Sequence, residues 1–365
     1  MITILIVIAT LALLILIHEF GHFLSAKLAG LKVEEFGFGF PPRLFGKKIR
    51  ETIYSLNLIP FGGFVKIYGE SEEAGPTSDT LDKERNFAFK SVGARSMIVL
   101  AGTLANFIFG WILISLIFFS GSPTLADDNN RHQLQDIKVV ISMVAQNSPA
   151  ELTGLKPNDR ILEVKTSNDL LVVKELDSFI KFIEKHKGEK IIFTISRGKQ
   201  VLDIEVASRV NPPKNEGSTG IALAEIGLLK LPLLKSLTSG LAFSSEVTVT
   251  ILETLGGIIK KIFIGAPLGE TVVGPVGIVG IVAQGVNLGL VYVFRLIALI
   301  SLNLAILNIL PFPALDGGRL VFLGIEKIKG SPVSKKVEQV THAAGFAFLI
   351  LIMVIVTARD IMRIF

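Results

Sequence analysis

The sequence predicts a polytopic α-helical membrane protein of about four transmembrane helices, carrying a membrane-associated β-hairpin loop and an inserted α+β domain. Three observations predict it. Half the residues are hydrophobic and the mean hydropathy is +0.59, too apolar for an ordinary soluble chain of 365 residues. Four stretches, residues 2–24, 97–119, 290–310 and 342–358, are long and apolar enough to cross a bilayer. Between the second and third lies a long polar segment in which apolar and polar residues alternate with the period of strands.

The first stretch contains His18, Glu19, Phe20, Gly21 and His22. Two imidazoles four residues apart on a helix project from one face and can grip one Zn²⁺, and the adjacent Glu19 can act as general base toward water there. Ionisable groups among lipid-spanning residues are costly, on the order of 2.5–3.5 kcal/mol each at a helix centre, so a cluster of them is functional by default. A cleaved signal peptide is the rival reading of this stretch. Residues 1–4 hold no basic n-region, and cleavage near Ala29 would discard the motif, so the segment is read as a spanning helix.

The loop that follows carries strand-like material: residues 53–58 alternate, 60–63 turn and 64–68 alternate again, which reads as a hairpin. Its free edge could pair with an extended substrate beside the metal helix, or the hairpin could merely pack on the loop. After the second span, residues 137–144, 160–164 and 190–196 read as strands and 175–186 as a helix. Residues 211–217, with two prolines, two asparagines and a glycine, read as a linker. Residues 233–264 read as an amphipathic interfacial helix interrupted near Gly256 and Gly257, because Glu246 and Glu253 disfavour a fifth span. In the third span, Arg295 sits near the end, where snorkelling accounts for it. The expected organisation is residues 1–120 for the first two spans with the hairpin loop, 121–215 for the inserted domain, 216–288 for the interfacial segment and 289–365 for the last two spans.

Charge bias orients the chain. Residues 25–94 hold ten Lys or Arg, and Arg319, Lys327, Lys329, Lys335 and Lys336 follow the third span, so both loops are expected in the cytoplasm and the inserted domain outside it. Arg359 and Arg363 argue weakly the other way. A net charge of +5 without basic stretches interleaved with aromatics excludes a nucleic-acid surface and fits loops against anionic membrane lipid. The absence of cysteine removes disulfides, thiolate ligands and thiol nucleophiles, leaving His, Asp or Glu to bind metal.

A catalytic zinc site usually takes three protein ligands. Asp316 is the candidate third, because Pro311, Pro313, Gly317 and Gly318 around it prevent a simple helix and create irregular backbone of the kind tolerated at membrane depth beside a wet cavity. Glu34 and Glu35, just after the first span, compete from what reads as a solvated loop, and His342 reads as an interfacial residue.

Two resemblances follow from these residues. Residues 148–150 and 154–162 resemble the signature stretch of a PDZ domain, which would occupy residues 136–209 and bind a peptide C-terminus by strand addition, or act only as a steric shield. The motif at 18–22, the stretch 308–318 and a PDZ-like domain between spans two and three resemble the site-2 protease family, in particular its bacterial RseP/RasP-type group. Residues 37–40, 60–64, 102–107 and 274–277 match it as well, so the resemblance covers nearly the whole chain. It implies a zinc metalloendopeptidase of the bacterial inner (plasma) membrane that cuts transmembrane segments in regulated intramembrane proteolysis, with an anti-sigma factor or a signal peptide remnant as expected substrate. It implies His18, His22 and Asp316 as zinc ligands, Glu19 as the group that activates water, Asn303 and Asn308 as substrate-holding residues, and Pro311 and Pro313 as shaping their loop. One departure is that a single PDZ domain fits here, where the best-known members carry a tandem pair.

The rival functions are a non-catalytic membrane binding protein or chaperone, which would have no need of Glu19, and a metal transporter, disfavoured because ionisable residues concentrate in two places.

Overall fold

A computed structural model describes residues 2–70, 83–198, 200–214, 216–266 and 274–364; Asn215, within the expected linker, lies outside them. The chain divides into two compact units, one of residues 1–114, 237–286 and 292–365, the other of residues 115–236 with 287–291.

Helices α1 (Ile2–Leu28) and α2 (Val92–Ser120) begin the first unit. At 1.5 Å per residue they run to about 40 Å, beyond the roughly 30 Å of a hydrocarbon core. Between them, β1 (Val33–Ile49) and β2 (Thr52–Ile67) form an antiparallel ribbon. The two alternating segments of β2 do not pair with each other as the sequence reading has it. Residues 35–38 of β1 lie between them, so that Phe36 faces both Tyr54 and Val65, and Gly37 faces both Ser55 and Phe64. Gly37 makes room for this: a Cβ there would stand 2.4 Å from the Phe64 ring and 2.9 Å from Ser55 Oγ. Residues 64–67 are thereby left on the outer edge of the ribbon.

Among the described residues, five helices are long and apolar enough to cross a membrane, by length and composition, and they include α5 (Leu233–Phe263). The expected interfacial helix with a break near Gly256 is replaced by one continuous helix of 31 residues. Each glycine costs about 1 kcal/mol relative to alanine in a helix interior, too little to end a helix flanked by Leu255, Ile258 and Ile259. Trp111 Nε1–H of α2 donates to the Leu237 carbonyl at 2.9 Å, and the Arg295 guanidinium lies 5.6 Å from the Phe243 ring centroid, a cation–π contact within the unit rather than simple snorkelling. Helix α6 (Pro275–Leu288) precedes α7 (Leu290–Ile309). Helix α8 (Asp316–Lys329) follows and stops at Gly330, whose left-handed backbone donates to the Glu326 carbonyl. Helix α9 (Lys335–Ile364) ends the chain. Leu323 of α8 joins Ala26, Leu31, Ile67, Phe87 and Ile98 in one buried cluster, tying α8 to the cytoplasm-facing ends expected for α1 and α2.

The second unit is built on a seven-stranded antiparallel sheet. Its strands are β3 (Ser122–Leu125), β4 (Leu134–Val144), β5 (Arg160–Lys165), β6 (Leu170–Val172), β7 (Lys190–Arg197), β8 (Gln200–Ala207) and β9 (Ile221–Leu229), in the order β3-β9-β4-β5-β7-β8 with β6 on β5. A four-residue turn of helix, α3 (Pro149–Leu152), is capped by Ser148 Oγ, which accepts from the Glu151 N–H at 3.2 Å. Helix α4 (Leu176–Lys185) buries Phe179, Phe182 and Ile183, the i, i+3, i+4 face, against Ile191, Phe193 and Ile195 of β7. Strand β9 lies past residue 215 and pairs with β4 from Ile221↔Val144 to Leu229↔Leu134. The Pro- and Asn-rich stretch before it is thus a connection inside the sheet unit, and composition cannot distinguish such a loop from a boundary.

Asp159, 1% exposed, accepts from Arg197 Nε and Nη2, both at 2.7 Å, and from the Lys156 N–H at 2.8 Å. Asp159 is buried but the Arg197 side chain is about a third exposed, so removing the carboxylate loses the bidentate charge-assisted bonds while leaving the guanidinium access to water. Asp159→Ala is expected to destabilise this sheet by about 2 kcal/mol, read as a lower urea midpoint for proteolytic cleavage within residues 121–230 of the chain. An unchanged midpoint would mean that the pair holds nothing together.

Candidate metal centre

Helix α1 places His18 and His22 one turn apart on one face. His22 Nδ1–H donates to the Ile98 carbonyl of α2 at 2.8 Å, which leaves the Nε2 lone pair bare. The two Nε2 atoms stand 3.2 Å apart, with the rings nearly perpendicular. Asp316 Oδ2, at the start of α8, lies 3.0 Å from His18 Nε2 and 3.2 Å from His22 Nε2. Ligand atoms about 2.0–2.1 Å from a tetrahedral zinc are separated from one another by roughly 3.3 Å, so the three spacings fit that ion. The buried Asp316 Oδ2 makes no hydrogen bond, and a cation held by these three atoms satisfies it.

Close packing holds the ligands. A Cβ on Gly102 of α2 would stand 2.4 Å from His22 Nε2 and 2.8 Å from His18 Cε1, and one on Gly21 would stand 2.3 Å from the Ala101 carbonyl oxygen. Only bare backbone lets α1 and α2 approach at the level of the imidazoles. On the other side, Gly317 and Gly318 lie under the carbonyls of Ile309, Leu310 and Phe312, turning the chain sharply so that Asp316 opens α8.

A cavity of about 570 Å³ adjoins the three ligands. Glu19 lines it, as do Phe64, Val65, Lys66 and Ile67 from the ribbon edge, Arg319 from α8 and His342 from α9. Gly63 lies close against Glu19; a Cβ there would be 3.1 Å from Glu19 Cγ. Arg319 is ion-paired with Glu70.

The structure therefore brings His18, Glu19, His22 and Asp316 to one cavity. Asn308 is not among the residues lining that cavity but reaches His18, its Nδ2 3.4 Å from His18 Nδ1. The atom facing His18 Nδ1 is thus the amide nitrogen; with Nε2 turned to metal and Nδ1 carrying the proton, the amide must turn over to present its oxygen as the acceptor. Asn303, five residues earlier and so about 140° away around the helix, is exposed and is not among the cavity's lining residues. Pro311 is exposed, while Pro313 packs on Gly345 of α9. Glu35 pairs with Arg43 and Glu34 with Lys66, so neither competes for the metal. His342 is on the cavity wall, where the sequence reading has an interfacial residue: its Nδ1 accepts from the Ala314 N–H at 2.9 Å. Sequence reasoning also missed the Ile98 carbonyl, Gly102 as a packing residue and the Arg319–Glu70 pair. A glycine in mid-span and an arginine three residues past a candidate ligand were the available signals.

Two imidazoles and a carboxylate at tetrahedral spacing, beside a glutamate and among helices long enough to span a bilayer, have the make-up expected of a zinc hydrolase centre in a membrane protein. Comparison with known proteins narrows the class. Peptidase family M50 matches residues 6–352. The zinc metalloprotease RasP of Shouchella clausii is 31% identical over 100% of this chain and 99% of its own. A second RasP, from Geobacillus kaustophilus, is 28% identical over 96% of each chain, and the regulator of sigma E protease of Haemophilus influenzae is 28% identical over 98% of each. The chain belongs to peptidase family M50. It is a multi-pass intramembrane zinc metalloprotease of the site-2 protease kind.

Proposed function

We propose that His18, His22 and Asp316 hold the zinc, that Glu19 is the general base, and that the substrate is a transmembrane segment of another membrane protein, unwound in the cavity beside them. The observation that carries this reading is the single cavity lined both by the three ligands with Glu19 and by residues 64–67 at the ribbon's outer edge. Zinc, when bound, polarises the scissile carbonyl and brings water toward a pKa of about 7. Glu19 takes the proton of the attacking water and delivers it to the leaving amine. A helical substrate hides its peptide bonds, so it must extend first, and an outer strand edge offers main-chain partners for that form. Asn308 keeps His18 in the useful tautomer. Asn303, Pro311 and Pro313 lie off the cavity wall, and the two prolines shape the loop that leads into Asp316.

In the sheet unit, a groove of about 310 Å³ between α4 and the start of β9 is lined by Phe179, Ile180, Ile183, Ser218, Thr219 and Ile221. It suits the end of a peptide chain laid against β9. We place the metal centre toward the cytoplasm and the sheet unit outside it, in a bacterial plasma membrane, with anti-sigma factors or signal peptide remnants as the substrate class. Because the chain contains no cysteine, single cysteines report this directly. Lys48→Cys is expected to react with an impermeant maleimide only in inverted vesicles, and Lys187→Cys only in right-side-out ones. The reverse pattern would overturn the orientation.

A further inference from the structure

Of the buried side-chain nitrogen and oxygen atoms that lack a hydrogen bond among the described residues, two belong to residues lining the metal cavity: Asp316 Oδ2 and His342 Nε2. The first is accounted for by the metal. The second requires a different partner, because His342 is on α9 and its other nitrogen is already committed to the Ala314 backbone.

That commitment decides what Nε2 can do. A backbone N–H only donates, so Nδ1, which receives it at 2.9 Å, carries no proton. The proton of the neutral ring is then on Nε2, which becomes a donor with a fixed direction, since the ring is held at one end by Ala314 and flanked by Phe322 at 5.6 Å between centroids. The neighbouring cationic donor on the same wall, Arg319, is occupied by Glu70, and Lys66 pairs with Glu34. A buried N–H without an acceptor is unfavourable, and a ligand that supplies one gains by doing so.

We propose that His342 is a substrate-binding residue, its Nε2–H donating to a main-chain carbonyl of the unwound transmembrane segment. This rests on the assignment of the cavity as the proteolytic site. A main-chain carbonyl is the acceptor because an extended segment in the cavity has, on its side facing α9, carbonyls that its own helix no longer satisfies. Residues 64–67 then bind one side of the segment and His342 the other. Ala314, two residues before Asp316, couples the donor's position to the metal loop.

The test separates binding from support of that loop. His342→Asn keeps an acceptor oxygen near the Nδ1 position, and so the Ala314 contact, but has no donor at the Nε2 position; His342→Gln reaches the Nε2 position with an amide. Each is combined with Glu19→Gln, and the affinity of a fluorophore-labelled transmembrane segment cleaved by the wild-type protein is measured in detergent alongside zinc content. The Asn variant is expected to bind about tenfold more weakly with zinc unchanged, and Gln to recover binding to within about threefold of the parent. In the Glu19-containing background, His342→Asn should raise KM more than it lowers kcat. Unchanged binding by the Asn variant, equal weakness of Asn and Gln, or loss of zinc together with binding would each overturn the proposal. Wild-type protein that neither holds zinc nor cleaves the segment would instead defeat the assignment of the cavity.

Discussion

Glu19→Gln protein is expected to hold about one zinc per chain, as the wild type does, and to cleave a transmembrane reporter at least about 10²–10⁴-fold more slowly. The substitution is nearly isosteric and touches none of the three proposed ligand atoms, on His18, His22 and Asp316. What it removes is the carboxylate on the cavity wall that can take a proton from water and pass it to the leaving amine. Zinc analysis and single-turnover cleavage on the same preparation separate the two effects. Cleavage at the wild-type rate by purified Glu19→Gln protein would sink the assignment of the base.

The second large effect concerns the metal itself. Asp316→Asn is expected to weaken zinc binding by at least about 100-fold, since loss of a mere supporting contact already costs 10–100-fold, and to abolish cleavage at ordinary zinc concentrations. The anionic oxygen that sits 3.0 and 3.2 Å from the two imidazole nitrogens becomes part of a neutral amide, a poorer ligand that no longer balances the ion's charge. Competition against a chromophoric chelator measures the affinity. If Asp316→Asn binds zinc as tightly as the parent, another oxygen donor completes the site and the ligand set is wrong. The contrast between the two variants matters most: one spares the metal and stops the chemistry, the other stops the chemistry by losing the metal.

Much of this architecture was readable from residue patterns because its signals are local. The spans at 2–24 and 97–119 fall within α1 and α2, since a long apolar run can satisfy its backbone in lipid only as a helix. The i, i+4 spacing of His18 and His22 becomes a shared ligand face for the same geometric reason. Strands β4, β5 and β7 follow their alternation closely. The reading was weaker where two local rules compete. Glu246, Glu253 and the Gly256–Gly257 pair argue for a broken surface helix, yet the remaining apolar residues keep α5 continuous over 31 residues. The ribbon defeated the hairpin rule because pairing depends on a third segment, residues 35–38, that can insert only where Gly37 leaves room.

From its residues alone this protein is a membrane-spanning chain with a candidate metal site in its first span, since the helical period, the apolar run lengths and the His18, Glu19 and His22 donors act within a few residues of chain; that it is a zinc protease came from its resemblance to a family. The tertiary structure decided which carboxylate stands beside the two imidazoles, bringing Asp316 across nearly three hundred residues to His18 while committing Glu34 and Glu35 to Lys66 and Arg43. It also decided that Asn308 rather than Asn303 approaches His18, that the edge of β2 lines the cavity, and that His342 stands on the cavity wall with its Nδ1 committed to the Ala314 N–H. These depend on how closely helices pack at Gly21, Gly102 and Gly317 and on which buried polar atoms find partners. Distances between segments remote in sequence set both, and no local pattern encodes them.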